Sequence, residues 1–199
     1  MRNNATRWVD CDEVLFKLNE PCLKFHDHKI NGIPATKEDM TDYILPNLPK
    51  FNISMTDAHE RYESFLRMAG PHDMPPVDWA REQLQKLLQQ GDRLIVITAR
   101  KEIFEALTAA QINAYYPDMF EEIVFANHYA ANHKSKLEIC KEKDITHFIE
   151  DNLSQDIINI ANSWIKVHLL DQPRNRHYNP EIHKNIFKFK TREKFNPKG

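Results

Sequence analysis

Apolar and polar positions alternate along this chain in two different rhythms, and the change comes near position 77. From there onward, helical spacing and short unbroken apolar runs follow one another regularly. Residues 77–90 place Trp79, Ala80, Leu84, Leu87 and Leu88 on one face, with Gly91 positioned to end the helix. Residues 93–98, Arg-Leu-Ile-Val-Ile-Thr, form a continuous apolar run of the buried-strand type. The pattern then predicts helix over 101–114, strand over 123–125, helix over 136–143, strand over 146–150, helix over 155–163 and strand over 165–170. Near the N-terminus, Trp8-Val9 reads as the end of a short buried strand. It runs into Asp10-Cys11-Asp12-Glu13, an unusual tail because strands are depleted in Asp.

Between these parts the pattern is weaker. Residues 17–76 are polar and contain His and Pro, with helical stretches around 38–43 and 57–68 and no strong strand alternation. Gly70-Pro71 and Pro75-Pro76 punctuate the end of this stretch. Five strands separated by helices predict an α/β fold, a Rossmann-like parallel five-stranded sheet with helices on both faces. Residues 1–16 and 77–199 would make this core, and 17–76 a small, mainly helical cap inserted after the first strand.

Composition narrows the function classes. The 199 residues include 4 glycines, and no G-x-G-x-x-G or G-K-[ST] occurs, so any phosphate must be held without a Gly-rich loop. The net charge of −2 gives no global case for a nucleic-acid polymer or a membrane surface. Three cysteines, at 11, 22 and 140, lack paired spacing and suggest a reducing compartment. The N-terminus lacks the apolar stretch of a signal peptide, and no run approaches membrane-spanning length. The expectation is a cytoplasmic protein.

In sheets of this type, ligands bind beyond the carboxyl ends of the strands. Strand one ends in Asp10 and Asp12, strand two in Thr98-Ala99-Arg100, and strand four in Glu150-Asp151. The helix after strand three opens with Lys134-Ser135-Lys136. Several carboxylates on one edge are costly unless a cation binds, and an all-oxygen set suits Mg²⁺. Thr98 and Lys136 can donate to phosphate oxygens. One carboxylate can attack phosphorus while another, two residues on and on the same face, moves protons.

These segments together resemble the haloacid dehalogenase-like hydrolase superfamily. Asp10-x-Asp12 after an apolar strand resembles its first motif, L-I-V-I-Thr98 its second, the basic Lys136 at a helix start its third, and Glu150-Asp151 its fourth. The K-S-K-L-E-I-C-K helix and the K-V-H-L-L-D-Q-P-R-N ending are similar to its 5′-nucleotidase and deoxyribonucleotidase-like branch. The resemblance implies a phosphomonoesterase acting through an aspartyl-phosphate on a small phosphorylated metabolite, with a nucleoside 5′-monophosphate the first choice. Asp10 would be the nucleophile and Asp12 the general acid/base. Thr98, the Ala99 backbone and Lys136 would bind phosphate. Mg²⁺ would sit on the Asp10 carboxylate, the Asp12 carbonyl and Asp151, with Glu150 acting through water and Asp156 behind it. A sugar-phosphate phosphatase, a phosphomutase and a non-catalytic binding protein of the same fold are the alternatives.

Each residue also has a plainer reading. Thr98 could cap the helix that follows, and Glu150-Asp151 could be an ordinary N-cap. Lys136 is preferred to Lys134 by helical phase and by its distance along the chain to Asp151. Arg100 reads as a surface or salt-bridge residue. His26-x-His28 reads as part of a solvated helix rather than a metal site. Arg174 could touch a substrate phosphate or base, and the basic, Phe-containing stretch 184–199 reads as a surface-packed tail. Glu13 stands where many relatives in the superfamily carry Gly, which would alter the turn and add charge beside the site.

Overall fold

A computed structural model describes residues 4–126 and 135–190. Its centre is β1 (Thr6–Val9), whose four residues are all buried. Trp8 explains why so short a strand holds its place. The ring lies 4.1 Å from that of Phe148, and its indole N–H donates to the Ile97 carbonyl at 2.8 Å. The strand is thus fastened to both of its neighbours by one side chain.

Those neighbours are β4 (Arg93–Thr98) and β6 (His147–Glu150), both parallel to β1. With β5 (Glu122–Phe125), β7 (Lys166–Leu170) and β8 (Ile186–Phe189), they form a six-stranded sheet in the order β5-β4-β1-β6-β7-β8. All its pairings are parallel. Chain order reverses at β1, so the crevice beyond the carboxyl ends opens where β1 ends. Helices α3 (Ala80–Gln89), α4 (Glu105–Tyr115), α5 (Lys136–Glu142) and α6 (Gln155–Ala161) belong to the connections between strands. Two apolar clusters form the core, one around Val9, Leu84, Leu94 and Ile149, the other around Trp8, Ile97, Phe148 and Val167.

The sheet has six strands where the sequence pattern predicts five. The sixth, β8, lies inside the basic stretch that reads as a tail. Only Ile186 and Phe189 of its four residues are buried, and Lys188 interrupts the apolar run. Such a short, charged edge strand leaves little periodic signal. The helix expected over 101–114 begins as a 3₁₀ turn, Glu102–Phe104, before α4. Residues 1–3, 127–134 and 191–199, and with them Lys134 and the end of the basic stretch, lie outside the described residues.

Residues between β1 and α3 carry α1 (Asn19–Phe25), a two-stranded hairpin of β2 (Lys29–Ile30) and β3 (Ile33–Pro34), three 3₁₀ turns and α2 (Met55–Met68). The helix expected over 38–43 is only the turn Lys37–Asp39. This stretch has a small apolar cluster of its own, Leu23, Met40 and Phe51, while Phe65 and Leu66 of α2 pack into the main core. Among the described residues, no helix is long and apolar enough to cross a membrane.

Candidate active site

The backbone at the end of β1 sets the position of every group around it. The Asp10 N–H donates to the Ile149 carbonyl at 3.0 Å, which extends the β1–β6 ladder by one residue. The chain then turns tightly, the Leu15 and Phe16 N–H groups both donating to the Cys11 carbonyl. Glu13, inside that turn, has φ = 62°, a left-handed conformation that costs a non-glycine residue about 1–2 kcal/mol. The side chain offsets this cost. Its Oε1 accepts from the Leu18 and Asn19 N–H groups at 2.8 and 2.7 Å, at the start of α1, and Oε2 lies 3.4 Å from the Lys37 ammonium. A charged residue here stabilises the link to the next helix.

Asp10, Glu150 and Asp151 are all buried, and a carboxylate oxygen from each lies within 4.8 Å of the others. Lys136 enters the same space from the start of α5. Its Nζ donates to Glu150 Oε2 at 3.0 Å and lies 3.9 Å from Asp10 Oδ1. The ammonium also sits over the rings of Trp8 and Phe148, at 5.4 and 5.5 Å from their centroids. Glu150 Oε1 meanwhile accepts from the Asp151 and Asn152 N–H groups at 3.0 and 3.1 Å. Arg174 pairs with Asp151, and Asn175 donates to the Asp151 carbonyl at 2.7 Å.

The electrostatics follow from this crowding. Burial pushes the Asp10 carboxyl well above the usual carboxylate range, Glu150 pushes it further, and Lys136 opposes both. Burial alone would lower Lys136, but the carboxylates of Glu150 and Asp10 outweigh it and raise the ammonium. Three buried carboxylates thus lie beside two protein cations. The donor set is entirely oxygen and carries excess negative charge, which fits a hard divalent ion such as Mg²⁺ better than a soft one.

Asp12 faces a different partner. Arg100, which follows β4 by two residues, closes a fork on it: Nε lies 3.1 Å from both carboxylate oxygens and Nη2 lies 2.6 Å from Oδ1. Tyr62 of α2 donates to Asp12 Oδ2 at 3.3 Å from the other side. Thr98 is buried and its Oγ1 accepts from the Arg100 N–H at 3.2 Å, while Ala99 between them is partly exposed.

Of the residues singled out in the sequence, Asp10, Lys136, Glu150 and Asp151 meet in one cluster. Asp12, Thr98 and Ala99 stand at the ends of the two adjoining strands. Asp156 does not join them: it is exposed in the first turn of α6 and lies outside the three-carboxylate group. Three further residues reach this edge whose part in it the sequence pattern does not mark. Arg100 is the salt-bridge residue of the sequence reading, wholly buried on Asp12 and away from the surface. Tyr62 shares the packed face of α2 with Phe65 and Leu66, and the helical period gives no sign that the hydroxyl reaches Asp12. Tyr43 is 56% exposed as a residue, yet Lys136, Asp10, Glu150 and Arg174 all act on its hydroxyl end, and burial of that end raises its pKa to about 12.

No family model matches the chain, and no curated protein sequence matches it significantly. Solved structures do. A predicted phosphatase from Clostridium acetobutylicum is 14% identical, with 94% of each chain covered and a TM-score of 0.64. A haloacid dehalogenase-like family hydrolase from Streptococcus pneumoniae is 12% identical, with 96% of each chain covered and a TM-score of 0.61. A hydrolase of the same superfamily from Ehrlichia chaffeensis is 15% identical, covering 96% of this chain and 94% of its own, with a TM-score of 0.55. At these identities the likeness is one of fold, and it extends over nearly the whole chain.

Proposed function

We propose that the chain is a Mg²⁺-dependent phosphomonoesterase that works through an aspartyl-phosphate on Asp10. The observation that carries this reading is the convergence of Asp10, Lys136, Glu150 and Asp151 at the carboxyl end of the central strand.

The chain's own residues supply most of the steps. The Asp10 carboxylate attacks phosphorus and the bond to the leaving oxygen breaks, with Asp12 giving that oxygen a proton. Water then attacks the phosphorus of the aspartyl-phosphate, its proton passes to Asp12, and the Asp10 carboxylate is released. The Lys136 ammonium, the Thr98 hydroxyl and the Ala99 N–H face the charge that builds on the phosphoryl oxygens. A Mg²⁺ ion held by Asp10, the Asp12 carbonyl and Asp151, with Glu150 acting through water, would neutralise part of that charge. Residues 17–76 act as a cap that excludes water and selects the substrate. The contacts of Tyr62 with Asp12, Lys37 with Glu13 and Glu38 with Arg176 support this assignment.

The substrate in this reading is a small phosphorylated metabolite. Arg174, paired with Asp151 and with its side chain only 8% exposed, lies 5.7 Å from the centre of the half-exposed Tyr43 ring and backs it as a flat surface suited to the base of a nucleoside 5′-monophosphate. The hydroxyls of Tyr43 and Tyr62 suit a sugar phosphate equally. A panel of nucleoside monophosphates, sugar phosphates and an aryl phosphate, assayed with Mg²⁺ and with chelator, separates these. Metal-dependent release of phosphate, lost in Asp10→Asn, is expected. Failure to hydrolyse any of the panel, or unchanged turnover in Asp10→Asn, would overturn the reading. Transfer of phosphate to an added sugar acceptor instead of water would mark a mutase.

A further inference from the structure

Arg100 has no role in the phosphoryl-transfer steps, yet it is the side chain most completely enclosed by the site. Its guanidinium is 0% exposed, and each of its nitrogens is engaged. Nε and Nη2 form the fork on Asp12. Nη1 donates to Thr108 Oγ1 at 3.1 Å and to Gln111 Oε1 at 2.7 Å, both on α4, and Nη2 also lies 3.5 Å from Met74 Sδ. Thr108 is itself fixed, its hydroxyl donating to the Phe104 carbonyl at 2.9 Å.

This geometry has a direction. Gln111 and Thr108 are fully buried on a helix of the core, whereas the Asp12 side chain keeps 20% of its surface open toward the site. The guanidinium is therefore held from behind and presents a flat, two-point contact forward, which fixes both the position of the Asp12 carboxylate and its rotation about the Cβ–Cγ bond. A carboxylate that must hand a proton to one oxygen and take it from another needs its orientation fixed, because errors of about 1 Å in such groups cost about 10²-fold in rate. We propose that Arg100 is the positioning residue for Asp12: it acts on turnover through that carboxylate and does not touch the substrate. The proposal rests on the phosphatase reading of the site.

A double-mutant cycle on aryl phosphate hydrolysis tests it, with folding checked by thermal melting. Asp12→Asn is expected to lower kcat about 10²- to 10⁴-fold, the range of general acid–base groups. Arg100→Met is expected to lower kcat about 10²-fold while KM moves by less than about threefold. In the Asp12→Asn background the same change should lower kcat by no more than about threefold, because its effect passes through the missing carboxylate. Arg100→Lys, which keeps the charge without the fork, should recover only part of the loss. Equal losses from Arg100→Met in the presence and absence of the Asp12 carboxylate would overturn the proposal and leave the phosphatase reading intact. Absence of wild-type turnover would remove both. Should Arg100→Met not fold, Gln111→Leu loosens the rear anchor of the guanidinium and must show the same non-additivity on a smaller scale.

Discussion

The floor of the site and its rim are built by opposite means. The floor is Asp10, Lys136, Glu150 and Asp151, each no more than 7% exposed and each fixed to the end of a sheet strand or the start of a helix that follows one. The rim comes from residues 17–76, where only Leu23, Met40 and Phe51 make a buried cluster of their own and Tyr43 is mostly in water. The floor therefore inherits the rigidity of the two sheet-face cores, while the rim has one small cluster of its own and joins the main core chiefly through Leu18, Phe65, Leu66 and Met74. In the proposed reading, chemistry that depends on fixed distances sits on the first, and choice of substrate falls to the second.

The sharpest way to break this contrast is at Lys136. Removing its ammonium with Lys136→Met leaves Glu150 and Asp10 buried without their counter-charge. The expected costs are about 3–5 kcal/mol of stability, read from urea unfolding, and about 10²-fold in kcat. A stable variant with normal turnover would mean that the floor is not a coupled charge cluster.

Core truncations compare the two regions directly. Phe148→Ala, beneath the floor, should cost about 3–5 kcal/mol of global stability. Phe51→Ala should leave the main unfolding midpoint almost unchanged and raise KM by about tenfold. Equal shifts in the midpoint would show that both regions unfold as one cooperative unit.

A smaller effect belongs to the sheet alone. His168 is buried on β7 and stacks on His147 with ring centroids 5.5 Å apart. Burial pulls its pKa down to about 3, with His147 adding to the effect. Between the unfolded value of about 6.5 and that folded value, the unfolded chain binds a proton that the native one does not. Stability should accordingly fall as pH is lowered through this window, with a slope of up to about 1.4 kcal/mol per pH unit from this group. His168→Leu should make the measured slope shallower by about one proton, and an unchanged slope would contradict the assignment. The smallest effect should come from the rim: Tyr62→Phe removes one hydrogen bond to Asp12, and should lower stability by no more than about 0.5–1.5 kcal/mol and change kcat by less than about tenfold.

The same contrast decides which residues the sequence pattern reveals. The floor is legible because its residues follow apolar runs: a strand such as 93–98 announces itself by continuous hydrophobicity, and the polar residue that ends it stands out. Helical phase places Lys136. It does not place Arg100, whose role depends on Gln111 and Thr108, which reach it only through packing of α4 against the sheet. Tyr43 lies among short turns, where neither the period of a strand nor that of a helix marks a residue, and Tyr62 shares the apolar face of its helix with Phe65 and Leu66, where it reads as a packing residue. Glu13, conspicuous in the sequence as a charged residue in a turn, proves to stabilise the start of α1. The edge strand β8 is hidden by Lys188 within only four residues.

The central claim is that Asp10 becomes phosphorylated during turnover. It can be tested by quenching the enzyme in the middle of turnover with borohydride, which reduces an aspartyl-phosphate to the corresponding alcohol, followed by mass spectrometry of the peptide carrying residues 8–17. Conversion of Asp10 to homoserine, dependent on both substrate and Mg²⁺, is the predicted result. Steady hydrolysis accompanied by an unmodified Asp10 peptide under conditions that trap other acyl phosphates would contradict it.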